Sequence, residues 1–505
     1  MYIVTAKEMY DIDDYTIGEI GVDGKLLMEN AGRAISEKIE SIIEKSNSIR
    51  VLVGAGNNGG DGFVIARTLR NKGYVADIIQ VVPNEKITGD ALYHKQIYEK
   101  IYGKVSLLGD VDGLQDLVNH ADIVVDAMIG IGMKGKLRER EAAIVSLLNQ
   151  SKALVIAVDI PSGLPADEGI TDFTAVQADH TIVVGAPKMS AFLQHTASFY
   201  GIWKSVEIGI PPQVFQTIAN RYVWTDDQFK RKMPIRSRYA HKGDHGRGMV
   251  IGGSSEMPGA LLMAIKAALK AGSGLITAGT SEKVRQMIAS ECVEAMYKTI
   301  SAKDGWLTNS TPLSVNDYDA IAIGIGMGRN PETEELVKRV IEEAACPLII
   351  DGDGLTHVKT HGETLKKRTH PTIVTPHPGE MAMLLDISIA ALLTSPFHYS
   401  ALFAKQYGVF VVLKGAYTII TEPSGQQAVS LTGNPGLAKG GSGDVLTGVT
   451  LAMVMQDQSI FQALSNACYV HGKAADIAVA ANHSYYDLLA TDVIHYISQV
   501  YRTIS

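Results

Sequence analysis

The sequence predicts an α/β protein of two successive units, the first a doubly wound, mostly parallel sheet. Three observations point there. Short apolar runs of strand length alternate with helix-periodic segments, and glycine-rich loops follow several of those runs. The chain, 505 residues with 46% hydrophobic content, also exceeds what one α/β core of ordinary size holds.

Thr5-Ala6-Lys7-Glu8 has capping-box spacing, and residues 23–44 place Leu27, Ala31, Ile35, Ile39 and Ile42 at helical intervals, so two helices open the chain. Arg50-Val51-Leu52-Val53 reads as a buried strand. It runs into the loop Gly54-Ala55-Gly56-Asn57-Asn58-Gly59-Gly60-Asp61-Gly62 and a helix over 63–71. Strands follow at 75–82, 123–127, 154–158 and 181–185. Around 211–232 the pattern loosens into Pro-Pro, a short helical stretch and a basic run, which places a join near 222 and domains at 1–222 and 223–505. Residues 249–254 begin a second strand-to-glycine series, with an alanine-rich helix over 260–271. Strands at 320–325, 348–351, 372–375 and 409–413 lead to a glycine-dense loop at 440–448 and two closing helices.

Composition narrows the function classes. A net charge of -8 argues against a nucleic-acid binder, and no apolar run approaches the length of a membrane span. Cys292, Cys346 and Cys468 are far apart and suggest neither a disulfide framework nor a zinc site. With no secretory or transit pattern at the start, the expectation is a cytoplasmic protein.

The second half holds the stretch around which the chain is organised, Gly440-Gly441-Ser442-Gly443-Asp444-Val445-Leu446-Thr447-Gly448. Glycines that turn backbone amides toward a guest, followed by a helix N-terminus, make an anion site, phosphate first. Asp444 reads either as a helix cap or as a base beside that anion. In the first half, 54–59 satisfies G-x-G-x-x-G, but so does 130–135, and no ribose-binding acid closes the second strand. Asn57 and Asn58 suit either a tight turn or oxygen donation to a hard cation. Asp126, Asp159 and Lys188 fall at strand carboxyl ends, where α/β sheets collect ligands. Lys188 is a solvated charge unless it converges with Asp159, in which case the two form a proton-transfer pair. His377, between Pro376 and Pro378, is rigidly placed and reads as a ligand contact or as a buried, hydrogen-bonded histidine. Residues 433–440 do not form a Walker A loop.

The motifs LMENAG at 27–32, GAGNNGGDG, DAMIGIG at 126–132, VDIPSGL at 158–164 and GAPK at 185–188 resemble the NAD(P)H-hydrate epimerase domain. That resemblance implies a Rossmann-like domain with a potassium site made by Asn58, Asp126 and Ser162. It implies hydrate contacts from Asn57, Asn58, Gly59, Gly60, Asp61, Gly130, Ile131, Gly132, Met133, Lys134, Gly135, Lys136 and Asp159, with Asp159 and Lys188 catalytic. Epimerisation at C6 through opening of the ring or loss of the hydroxyl would serve equally.

HKGDHGRGMVIGGS at 241–254, GIGMG at 324–328, TPHPGEM at 375–381, LKGAYT at 413–418 and NPGLAKGGSGDVLTG at 434–448 resemble the ADP-dependent NAD(P)H-hydrate dehydratase domain, of ribokinase-like α/β fold. This implies nucleotide contacts from Lys414, Gly415, Ala416, Tyr417, Thr418, Gly440, Gly441, Ser442 and Gly443. It also implies hydrate contacts from Ala260, Gly326, His377 and Asp444, with Asp444 catalytic. Ser442 stands where threonine is common, and Ile325 and Met327 where proline and leucine are usual.

The expectation is therefore a bifunctional repair enzyme acting on hydrated NADH or NADPH, using ADP, Mg2+ and K+, with a homo-oligomeric assembly. The alternative is a ribokinase-type kinase for a small vitamin precursor, carrying an N-terminal binding or scaffold domain.

Overall fold

The computed structural model describes residues 1–133, 135–310 and 312–504, apart from the Asp112 side chain. The chain divides into two compact units, Met1–Asn220 and Arg221–Ser505.

In the first unit the sheet is built from β1 (Ser48–Val53), β2 (Val75–Gln80), β3 (Ser106–Leu107), β4 (Ile123–Ala127), β5 (Leu154–Val158), β6 (His180–Val184) and β7 (Ile202–Val206). They pair in the order β3-β2-β1-β4-β5-β6-β7, all parallel. Both faces are covered, so the strands read as continuous apolar runs. Val51, Val53, Val125 and Ile156 pack with Ile35 and Phe63 on one face, while Leu52, Val124 and Val155 pack with Ile144 and Leu148 on the other. The order reverses between β1 and β4, and a crevice for ligands opens at the carboxyl ends of strands on either side of such a reversal.

The opening helices form as their signals require. Thr5 Oγ1 accepts from Glu8 N at 3.1 Å and Glu8 Oε2 accepts from Thr5 N at 2.8 Å, closing the capping box of Ala6–Gly18. Asp23 caps Gly24–Glu40, which buries Leu27, Ala31, Ile35 and Ile39; Ile42 lies beyond its end.

In the second unit the strands of the main sheet are β8 (Arg221–Trp224), β9 (Arg247–Gly252), β10 (Leu275–Thr280), β11 (Met296–Thr299), β12 (Ala320–Ile325), β13 (Leu348–Ile350), β14 (Thr372–Val374), β15 (Phe410–Leu413), β16 (Thr418–Thr421) and β17 (Gln427–Ser430). They run β8-β17-β16-β15-β14-β13-β12-β9-β10-β11. Within this sheet only β16 is antiparallel to its neighbours, the other described pairs being parallel. A separate two-stranded hairpin, Ala302–Lys303 with Trp306–Leu307, is antiparallel. Three helices, Pro258–Lys270, Ser442–Val454 and Ile460–Ala481, pack Ala264, Ala268, Val445, Val449, Ala467 and Ala474 over one face of this sheet. The approach is close: a Cβ on Gly448 would lie 2.1 Å from Ala264 O. No helix among the described residues is long and apolar enough to cross a membrane.

Candidate active sites

The first site forms where the strand order reverses. A cavity of about 690 Å³ is walled by the loops after β1 and β4, the ends of β5 and β6, and the helix Ala6–Gly18. β5 and β6 each end in a three-residue turn: Ile160 N donates to Val158 O and Ala186 N to Val184 O, both at 2.8 Å. Asp159 and Gly185 sit at the tips with φ of 65° and 67°. Aspartate tolerates this left-handed backbone better than most residues, and such strain collects at functional sites. The turns bring Asp159 to Lys188, whose Nζ donates to Asp159 Oδ1 at 2.5 Å; Val184 N donates to the same oxygen at 2.9 Å. Lys188 is 0% exposed, so it is no surface charge, and its burial depends on that carboxylate.

Asp126, fully buried on β4, has its carboxyl group pushed above the usual range by burial, against hydrogen bonds from Ser162 Oγ, Ser162 N and Met128 N at 2.6, 2.8 and 3.2 Å. Ser162 Oγ also accepts from Ile129 N at 2.8 Å. Asn58 is buried beside Gly130, and its amide nitrogen has no hydrogen-bond partner in the structure. A buried carboxylate, a hydroxyl, the Ile129 carbonyl and an amide that presents its oxygen after a half-turn are the hard oxygen donors a monovalent cation accepts.

The second site is built at the carboxyl ends of four adjacent parallel strands. β12 delivers Gly326, β13 Asp351, β14 His377 and β15 Lys414. Lys414 Nζ donates to Asp351 Oδ1 at 2.9 Å and lies 3.9 Å from Glu380 Oε2. Thr447 Oγ1, one turn into the helix Ser442–Val454, donates to Asp351 Oδ2 at 2.6 Å and ties the helix to the strand end. Burial alone would raise the Asp351 pKa, but Lys414 and these hydrogen bonds overcome it and hold the carboxylate ionised. The glycine loop turns into the helix through Gly441 at φ 94°. The first-turn amides that follow have no intrahelical acceptors, and a Cβ on Gly443 would lie 3.5 Å from Lys414 Nζ. Asp444 makes no cap at this helix start, where Gly441 is the N-cap. Its carboxyl is pushed up to about 7, first by burial and then by Asp351, against the pull of Lys414.

Comparison with known proteins joins these two sites in one family. Residues 24–190 match the YjeF-related protein N-terminus, and residues 249–499 match the family described as NAD(P)H-hydrate dehydratase. A bifunctional NAD(P)H-hydrate repair enzyme of Moorella thermoacetica is 35% identical, the alignment covering 100% of this chain and 97% of that protein. The chain belongs to the bifunctional NAD(P)H-hydrate repair enzymes. Its counterpart in Escherichia coli is 30% identical over 94% of this chain and 89% of that protein. A crystal structure of the Bacillus subtilis ADP/ATP-dependent NAD(P)H-hydrate dehydratase, obtained with ATP/Mg2+, is 34% identical with a TM-score of 0.51. It covers 56% of this chain and 98% of that one.

With the repair-enzyme family in view, the remaining expected residues can be placed. Asn57, Asn58, Asp61, Gly130, Ile131, Gly132, Met133, Lys136 and Asp159 line the cavity of the first unit. Gly59 and Gly60 are packing positions: a Cβ would meet Gly54 O at 2.2 Å or Met28 Sδ at 2.4 Å. Gly135 has φ 76° with open space around its Cα, and Lys136 pairs with Asp172. Lys134 lies outside the described residues. In the second unit a Cβ on Gly326 would lie 2.9 Å from Ala260 Cβ, so those two positions adjoin. His377 is half-exposed and caps the helix Pro378–Leu385, its Nδ1 accepting from Gly379 N and Glu380 N at 3.0 and 3.2 Å. Gly415, Ala416 and Tyr417 form the hairpin between β15 and β16, which starts at Thr418. Sequence reasoning overlooked Tyr10 and Asp13 in the first site, and Glu380, Thr447 and the ion-pair role of Asp351 in the second. Only the position of Asp351 at a strand end and of Thr447 one turn beyond Asp444 hinted at them.

Proposed function

We propose that the first unit interconverts the R and S epimers of hydrated NADH or NADPH through Asp159 and Lys188. The second unit dehydrates the S form with ADP through Asp444. The observation that supports this most is the raised carboxyl of Asp444, beside the Asp351–Lys414 pair and at the head of a glycine-loop helix. A base with a pKa near neutrality is suited to take a proton from a hydroxyl. Hydroxide leaves carbon poorly. Once Asp444 accepts the hydroxyl proton, that oxygen attacks the terminal phosphoryl group of ADP and AMP departs. The C6–O bond then breaks with phosphate carrying the electron pair, a C5 proton is lost, and the dihydropyridine is restored. Lys414 and the amides at 440–443 would stabilise charge on the transferring group. Ala260, Gly326 and His377 would hold the hydrate, and the 414–418 hairpin the nucleotide.

Mg2+, present with ATP in the Bacillus subtilis crystals, would neutralise nucleotide oxygens. Among the described residues no group of three or more His, Cys, Asp or Glu side chains could hold a metal, which fits an ion whose shell is completed by phosphate oxygens. Potassium would be held by Asn58, Asp126 and Ser162, offsetting the buried Asp126 charge. If so, KCl raises Tm relative to LiCl at equal ionic strength in the wild type and not in Asp126→Asn; equal Tm values in the wild type would exclude the site.

The direct test of the dehydratase reading is Asp444→Ala assayed on the S hydrate with ADP and Mg2+. The expected loss of turnover is about 100-fold or more; near-normal turnover would overturn the assignment. Product analysis separates the kinase alternative, which would leave a stable phosphorylated product in place of phosphate and NAD(P)H.

A further inference from the structure

We propose that Asp13 is a second acid–base residue of the epimerising site, working with the Asp159–Lys188 pair on the C6 hydroxyl. The inference rests on the epimerase reading above and deepens it. Residue 13 precedes the stretch matched to the N-terminal family, which begins at 24.

Backbone geometry fixes Asp13 in the site. Val4 forms a parallel bridge with Lys188: its N donates to Pro187 O at 3.0 Å, and Met189 N donates to Val4 O at 3.2 Å. Two residues on, Ala6 N donates to Asp167 Oδ1 at 2.8 Å, and the Thr5 capping box sets the start of the helix. The segment that anchors Lys188 therefore also fixes the rotation of the helix. Met9, Tyr10 and Asp13, spaced to share one helical face, all line the cavity that holds Asp61, Asp159 and Lys188. Tyr10 faces the loop after β4, since a Cβ on Gly132 would lie 2.7 Å from its hydroxyl.

Charge then distinguishes the carboxyls. Lys86, Lys136, Arg138 and Glu141 also line the cavity, but the cation that acts on Asp13 and Asp61 is Lys188, and it is committed to Asp159 at 2.5 Å. Two carboxyl groups are left to hold protons at a cost in ionisation. Asp61 is buried, and its pKa is raised well above the usual value by burial and then by Asp159 and Asp13. Asp13 is only half-buried. Its pKa is pushed up to about 6 by burial, opposed by Lys188 and reinforced by Asp159 and Asp14. It is the carboxyl that both reaches the ligand space and exchanges its proton near neutrality.

The step balances without any further reagent. Asp13 in its acid form protonates the C6 hydroxyl, the C6–O bond breaks to release water, and the ring nitrogen lone pair forms the C=N bond of an iminium. Water adds to the other face of C6 and gives its proton to the Asp159 carboxylate. Exchange with solvent, or the reverse reaction, restores both groups.

The experiment measures R-to-S conversion and S dehydration in full-length wild type, Asp13→Asn and Asp13→Glu. Asp13→Asn is expected to lose epimerase kcat by about 100-fold or more with KM for the hydrate within about threefold, while its dehydration of the S hydrate is unchanged. Asp13→Glu is expected to recover part of kcat. Wild-type kcat/KM for epimerisation falls as pH rises through about 6, and that limb is absent in Asp13→Asn. Asn turnover near wild type, or a loss confined to KM, would overturn the proposal. If wild type does not epimerise at all, the epimerase reading fails instead.

Discussion

Asp444 and Lys414 decide the chemistry of the second site at the scale of single residues. The carboxyl of Asp444 is raised to about 7 by burial and by Asp351, and lowered by Lys414. A general base works only when ionised, so kcat/KM for dehydration should rise with pH and level off above about 7. Lys414→Met removes the cation that favours the ionised form and should move that midpoint upward; a midpoint near the ordinary aspartate value in both proteins would deny Asp444 the role. Lys188 shows how far a residue can be read alone. A lysine after Gly-Ala-Pro is a solvated charge until β5 and β6 end side by side and bring Asp159 against it. Two separate strands supply the pair, so no local pattern contains it.

At the scale of elements, the loops at strand ends were legible because glycine marks backbone that other residues resist. GIGMG at 324–328 closes β12 as the sequence places it. The helix after β1, however, already starts at Asn57 and the one after Gly441 at Ser442, so most of the 54–62 and 440–448 runs is helix rather than loop. What each glycine does was less legible. Gly54 and Gly59 serve close backbone packing, since a Cβ would meet Met128 O at 1.9 Å and Gly54 O at 2.2 Å. Gly441 serves conformation, with φ 94° and Met263 Sδ 2.7 Å from its ideal Cβ. Alanine there costs roughly 1–2 kcal/mol in the left-handed region. Gly441→Ala should therefore weaken ADP binding by about tenfold in calorimetric titration; unchanged affinity would mean that the loop does not cradle the nucleotide. The overlooked strands have similar causes. β3 is two residues long, β8 starts on Arg221 and β17 is polar at both ends, so periodicity had little to register. β7, β10, β11 and β16, which carry polar residues among their apolar ones, went unread as well. Asp13 escaped notice because a carboxylate on an opening helix reads as a solvated face until Val4 is seen bonded beside Lys188.

For the whole molecule, two separately built sites in one chain divide one repair task. The first unit supplies the epimer that the second consumes, and each has its own lysine–carboxylate pair: Lys188–Asp159, buried, and Lys414–Asp351, with the lysine partly exposed. Both halves thus act on the same hydrate. Recovery of the reduced nicotinamide absorbance from pure R hydrate in wild type, Lys188→Ala and Asp444→Ala, with and without ADP and Mg2+, tests this coupling of the two sites. Rapid, full recovery is expected only in wild type with ADP. Lys188→Ala should recover R hydrate no faster than uncatalysed epimerisation while repairing added S hydrate normally, and Asp444→Ala should mix the epimers without restoring absorbance. Recovery from R hydrate at the wild-type rate in either variant would contradict it.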